Sequence, residues 1–210
     1  MATNTVLTAG EADAVKKAPE VEGVLPAIHE RWSARSFDGR GVSAATLKKV
    51  FEAARWAASS YNEQPWRYLV GRRGDGTWQK IYDTLIDFNK KWAQTAPVLI
   101  LGLARTHFSH NEAENRFALY DLGAASSYLT LEAAALGLKS HQMAGFDQEA
   151  ARRALTIPGE FAIGSVIALG YQGEPVALAD AVLIDREIEP RKRKPLDEIV
   201  FSEWGKAAEI

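Results

Sequence analysis

The chain is expected to fold as an α+β protein, and three observations carry that expectation. Segments with helical spacing and segments with strand character alternate irregularly, without the repeated strand and helix unit of a parallel array. Two continuous apolar runs, Ala96–Ala104 and Gly164–Tyr171, have the length and composition of central strands covered on both faces. Between them lies a long alanine-rich stretch, Glu112–Leu138, ended by Gly137 near a turn and apolar on nearly all sides beyond Tyr120. Such a helix must be buried, either at the heart of the monomer or at a subunit interface, and the interface is favoured.

Taken in order, Met1–Glu22 is polar and alanine-rich, without the basic start and apolar centre of a secretory signal. Residues 1–24 are therefore expected to form an extension or docking arm, and residues 25–210 one domain, because no linker or internal repeat divides them. Val42–Ala58 has helical spacing, with Ser43 as N-cap and Leu47, Val50, Phe51, Ala54 and Ala58 as the apolar stripe. Trp66–Val70, short, aromatic and β-branched after a proline, reads as a strand, and Thr77–Lys91 as a helix through Trp78, Ile81, Tyr82, Leu85 and Phe88.

Composition narrows the classes. A chain of 210 residues, 47% hydrophobic, can bury a sizeable core. A net charge of −2 provides no global field for nucleic acid, and no run approaches the roughly 18 apolar residues of a membrane span. With no cysteine there is no disulfide, thiolate nucleophile or Cys-ligated cluster, so redox chemistry would need a bound cofactor. A cytoplasmic location is the matching expectation.

Several motifs dissolve on inspection. Gly39-Arg40-Gly41-Val42-Ser43-Ala44 has the dinucleotide-binding spacing but lacks the preceding buried strand and the acid about 20 residues on, so it is assigned to a turn and helix start. His107 and His110 with Glu112 and Glu114 gather no further ligand cluster and are read as a polar loop, with no metal expected. Arg191-Lys192-Arg193-Lys194 is too short to hold nucleic acid alone.

Two segments keep their interest. Arg31-Trp32-Ser33-Ala34-Arg35, if extended, puts Arg31, Ser33 and Arg35 on one face, with Trp32 and Ala34 on the other. Two guanidiniums and a hydroxyl suit phosphate oxygens or carbonyls that gain charge. Ser59-Ser60-Tyr61-Asn62-Glu63-Gln64-Pro65-Trp66 gathers hydroxyls and an amide pair on a turn beside an aromatic anchor, which is binding-site chemistry.

Together, RxSxR, SSxNxQPW, the turn His141–Asp147 ending in Gly-Phe-Asp, and the basic residues before Pro195 resemble the FMN-dependent nitroreductase family, from about Ile28 to Trp204. The resemblance implies a three-layer fold with a mixed, mainly antiparallel sheet flanked by helices, the long helix at a homodimer interface, and a C-terminal arm, Leu196–Trp204, crossing onto the second subunit. It implies two FMN sites built from both chains. Arg31, Ser33, Arg191 and Arg193 would hold the phosphate, with Trp32 beside them, and Arg35 would face the N1 and C2 carbonyl edge. Ser59, Ser60, Asn62 and Gln64 would come from the second copy. Backbone near Met143, Ala144 and Gly145 would face N5, the glycine permitting close approach. Asn89 and Lys91 are candidates for the pyrimidine edge, where the register slips by one residue.

The implied activity is ping-pong reduction of nitroaromatics, quinones or related small electrophiles by NADH or NADPH, without a side-chain general acid. Two departures, Ala144 where some members carry Glu and Trp32 in place of a basic or polar neighbour, bear on substrate and nicotinamide preference. Enal or malonic semialdehyde reduction, dehalogenation and cleavage of the flavin itself are alternatives on the same scaffold. A non-catalytic flavin-binding protein and a partner-binding or nucleic-acid-binding module are further ones.

Overall fold

The computed structural model describes residues 7–210. Residues 1–6 of the expected N-terminal arm lie outside the described residues. In chain order the elements are α1 (Ala9–Lys16), α2 (Pro26–Glu30), α3 (Ala44–Arg55), β1 (Trp66–Arg72), α4 (Gly76–Asp83), α5 (Asp87–Ala93) and β2 (Val98–Arg105). They continue with α6 (Ala118–Ala135), β3 (Lys139–Met143), α7 (Gln148–Ala154), β4 (Phe161–Gly170), α8 (Ala181–Ile188), and a terminal hairpin of β5 (Phe201–Glu203) and β6 (Lys206–Ala207).

The main sheet has the order β1-β2-β4-β3, and every neighbouring pair is antiparallel. Both faces are covered, which explains why the apolar runs are continuous although no strands pair in parallel. Successive side chains of β2 go to opposite layers. Leu99, Leu101 and Leu103 join Trp78, Ile81, Trp92 and Leu183 under α4, α5 and α8. Val98, Ile100 and Ala104 join Val50, Leu122 and Leu129 under α3 and α6. The result is the expected three-layer α+β arrangement.

Local signals set most boundaries. Ser43 caps α3 by accepting from Thr46 N at 3.0 Å, as the sequence predicts, and Gly137 follows α6 with φ +74°. Asp75, Asp147 and Asp180 cap α4, α7 and α8 in the same way. Two expectations need correction. The stretch 112–138 is helical only from Ala118, because Glu112 adopts φ +56° and His107 bridges to Glu114, closing a loop; Asn115 Oδ1 then accepts from Phe117 N at 3.1 Å. The stretch 77–91 is two helices, broken where Leu85 bridges to Phe146.

Helix α6 is buried on one side only. Ala118, Leu122, Ala125, Leu129 and Ala133 sit on the sheet, with Leu122 seated over Gly102 and Gly164, where added Cβ atoms would come within 3.3 and 2.5 Å of its side chain. The opposite side leaves Phe117, Tyr120 and Tyr128 exposed. The N-terminal arm forms a helix, α1, that packs on α8.

Candidate functional site

The Arg31–Arg35 segment is extended and alternates as expected: Trp32 and Ala34 are buried, while Ser33 is exposed and Arg31 and Arg35 are half-buried. It runs alongside the edge strand β3. Trp32 Nε1 donates to Asp13 Oδ1 at 2.7 Å, and Asp13 also pairs with Lys139 at the start of β3. His141, two residues on, hydrogen-bonds Ala34 O at 3.0 Å through Nδ1. Since 32 lies by 139 and 34 by 141, the segment advances toward Met143–Gly145, with Arg31 at the far end and Arg35 at the near end.

The C-terminal basic run alternates too. Arg191 donates to Arg31 O at 2.8 Å and to His29 O at 3.0 Å, while Lys192 and Lys194 turn outward toward Glu189 and Glu198. A cleft of about 350 Å³ results, lined by Arg31, Ser33, Arg35, Arg191 and Arg193 together with Lys16, Trp32, Arg186 and Glu189, whose carboxylate pairs with Lys192. Among the described residues none of these cations has a carboxylate within ion-pair distance. Burial, then the Arg193 charge, holds the Arg31 pKa below its ordinary value; burial, then Arg31 and Arg193, does the same to Arg191. Arg35 is lowered by burial, with Glu187 opposing and Arg186 adding. The buried Nε atoms of Arg35 and Arg191 have no hydrogen-bond partner. Arg31, Arg35 and Arg191, partly desolvated and without carboxylate ion pairs, are costly to hold together unless an anion joins them, so the cleft suits one.

Several residues that hold this site carry no sequence signal. Glu187, 0% exposed, takes the N–H of Arg35 on both carboxylate oxygens and the N–H of Ser36 on Oε1, all at 3.0 Å. Burial raises its pKa, against those hydrogen bonds. His141 stacks on Trp92 with ring centroids 4.5 Å apart, and burial, then the Arg35 charge, pulls its pKa down to about 4. Trp92 also stacks on Phe37 at 6.4 Å and donates to Asn89 Oδ1 at 3.3 Å.

Other predicted residues serve in ways the sequence did not suggest. Trp32 is 1% exposed and its indole N–H is spent on Asp13, so its side chain is a packing anchor. Met143 is a core side chain. Asn89 donates to Gly145 O at 3.0 Å, which commits its amide at both ends to bracing the turn. Lys91 is ion-paired with Asp180 at 2.9 Å. Gly145 is needed inside the chain: an added Cβ would come within 2.6 Å of Asn89 Nδ2 and 2.7 Å of Ile86 Cδ1. Ala144 and Gly145 remain at the surface of that turn.

Ser59, Ser60, Asn62 and Gln64 lie elsewhere. Their turn leads into β1, the edge strand opposite β3, and three strand spacings, roughly 14 Å, separate the two edges. The turn is rigid: Ser60 N donates to the buried Asp121 at 3.0 Å, Gln64 N to Ser59 Oγ at 2.9 Å, and the Gln64 amide to Asn62 O at 3.1 Å. Tyr61, Asn62 and Gln64 hold φ of 50°, 54° and 51°, strain that persists at binding sites.

The nitroreductase family profile matches residues 28–91 and 79–171. An uncharacterised 15.4 kDa protein of Mycolicibacterium smegmatis is 37% identical over 147 residues, 66% of this chain and 97% of that protein. A protein named NADH dehydrogenase from Thermus thermophilus is 27% identical over 86% of this chain and 99% of its own. Among solved structures, an oxidoreductase containing FMN superimposes with TM-score 0.82 at 32% identity, covering 89% of this chain and 94% of its own. A Desulfovibrio desulfuricans protein solved in complex with FMN gives 0.69 at 26% identity, covering 88% and 98%.

Proposed function

Because this chain belongs to the nitroreductase family, we propose that it is an FMN-dependent oxidoreductase that passes electrons from NADH or NADPH to a nitroaromatic, quinone or similar small electrophile. The observation that carries this reading is the convergence of Arg31, Arg35, Arg191 and Arg193 on one cleft in which, among the described residues, none of them forms an ion pair. Those donors fit a flavin phosphate, whose dianion relieves their mutual repulsion.

In this reading Arg31, Ser33, Arg191 and Arg193 hold the phosphate and Arg35 sits by the ring carbonyl edge. FMN, when bound, supplies the hydride chemistry. The chain's part is to hold and to bias: Arg35, fixed through its own N–H on Glu187, stabilises negative charge at the ring. The backbone of Ala144 and Gly145 borders the ring's reacting edge, kept in place by Asn89. Ser59, Ser60, Asn62 and Gln64 complete the site from a second copy, which makes the functional unit a homodimer packed through the exposed side of α6. One pocket then serves donor and acceptor in turn, giving ping-pong kinetics. The absence of cysteine suits a reducing compartment, so we place the activity in the cytoplasm.

The test begins with colour. Purified protein, or apoprotein reconstituted with FMN, is expected to show flavin absorbance that NADH or NADPH bleaches without oxygen and that nitroaromatics or quinones restore. Protein that takes up no FMN overturns the reading, whereas bound flavin that neither nicotinamide bleaches leaves a flavin-binding protein without this catalysis.

A further inference from the structure

The residues matched to the family begin at 28, yet one wall of the cleft precedes them. Helix α1 is attached by specific bonds. Ala9 N donates to the Glu174 carboxylate at 2.8 Å, Gln172 Nε2 to Ala9 O at 2.9 Å, and Ala18 N to His29 O at 2.9 Å. Asp13 receives the Trp32 indole N–H at 2.7 Å and pairs with Lys139. Burial works against the Asp13 carboxylate, but the hydrogen bonds from Lys139 and Trp32 hold its pKa below the ordinary value. The helix is thus pinned to the ring that the RxSxR segment turns inward.

One turn further on, this anchoring places Lys16 in the cleft. Lys16 is 8% exposed, and its Nζ donates to Arg186 O at 2.7 Å. An ammonium has three donors, and among the described residues two have no hydrogen-bond partner, although Nζ also lies 5.7 Å from the Trp32 ring centroid. Burial lowers its pKa; Glu187 and Glu189 oppose that, and Arg35 and Arg191 reinforce it. The stronger of these acids in its effect on Lys16, Glu187, already has its oxygens on the Arg35 and Ser36 N–H groups. A largely buried cation with spare donors, facing a cleft where five arginines outnumber the one carboxylate of Glu189, suits an anionic ligand.

We propose that Lys16 is a cofactor-binding residue, its ammonium taking the cofactor phosphate together with the arginines that line the cleft. Helix α1 is the strap that presents it, and Asp13 is the positioning residue that docks the strap. The inference rests on the FMN reading and extends the site into a part of the chain that the family profile does not cover.

The experiment titrates wild-type, Lys16→Met and Lys16→Arg apoprotein with FMN and with riboflavin, which lacks the phosphate. In parallel it measures the melting-temperature rise given by inorganic phosphate. Lys16→Met is expected to weaken FMN about tenfold, the scale of one charge-assisted contact, to leave riboflavin affinity unchanged and to reduce the phosphate effect; Lys16→Arg restores most of the loss. Equal weakening for FMN and riboflavin, or undiminished FMN affinity, overturns the proposal. If the wild type takes up no flavin, the FMN reading fails, and the phosphate comparison still decides Lys16: equal stabilisation of wild type and Lys16→Met rejects it.

Discussion

Arg35 and His141 show how single side chains are put to work by burial. His141 is packed against Trp92 and kept neutral, with a pKa of about 4 against 6.5 for a free histidine. The unfolded chain therefore binds a proton that the folded chain refuses, and stability is lost as pH falls from 6.5 through about 4. The loss amounts to about 3 kcal/mol at most. Glu187 acts with opposite sign, since its raised pKa favours the folded state on the acid side. The contribution of His141 is isolated by comparing wild type with His141→Gln: the difference in unfolding free energy between them is expected to shrink by up to that amount across this window. Parallel pH profiles would remove His141 as its source. For Arg35→Ala the expected result is weaker FMN binding or a lower flavin potential, about 30 mV for each tenfold loss in relative affinity for reduced flavin. Unchanged flavin content and potential would contradict the role given to its charge.

At the scale of elements, close approaches decide what can be changed. Gly71 in β1 lies against the start of α4, where an added Cβ would fall 2.2 Å from Trp78 N and 2.3 Å from its Cα. Backbone cannot yield as a side-chain tip can, so Gly71→Ala is expected to destabilise by more than about 2 kcal/mol, measured by denaturant unfolding. The sequence revealed elements whose signals are local: the Ser43 cap, the β2 and β4 runs, and the alternation of Arg31 to Arg35. It concealed the break at Leu85, which has no glycine or proline and is imposed by pairing with Phe146. It concealed the true start of α6, where a strained Glu112 and the Asn115 cap outweigh good helix formers. Glu187 was hidden for a different reason: it reads as one more charged helix residue, and its partners are about 150 positions away. The contacts of Asn89 with Gly145 and of Lys91 with Asp180 were hidden likewise, being made across 56 and 89 positions.

For the molecule as a whole, the decisive relation is that Arg31 and Asn62 stand at opposite edges of one sheet. A site using both is expected to draw them from two chains, which a mixing experiment tests. Arg31→Ala and Asn62→Ala proteins, each impaired alone, are unfolded together and refolded. In an isologous dimer half the pairs are mixed, and each mixed pair has one of its two sites intact, so about a quarter of wild-type activity should return. No recovery, with mixed dimers verified by mass, would mean that each chain builds its site unaided.

If the proposed two-chain site holds, the same opposed edges make flavin retention a matter of mass action. In the proposed dimer, chains diluted below its dissociation constant would each keep the guanidinium cluster but lose the turn contributed by the second copy. Bound flavin should then fall with the square of chain concentration, and occupancy per chain in proportion to it. Weakly expressed protein would be disproportionately colourless, and added FMN would pull separated chains back together.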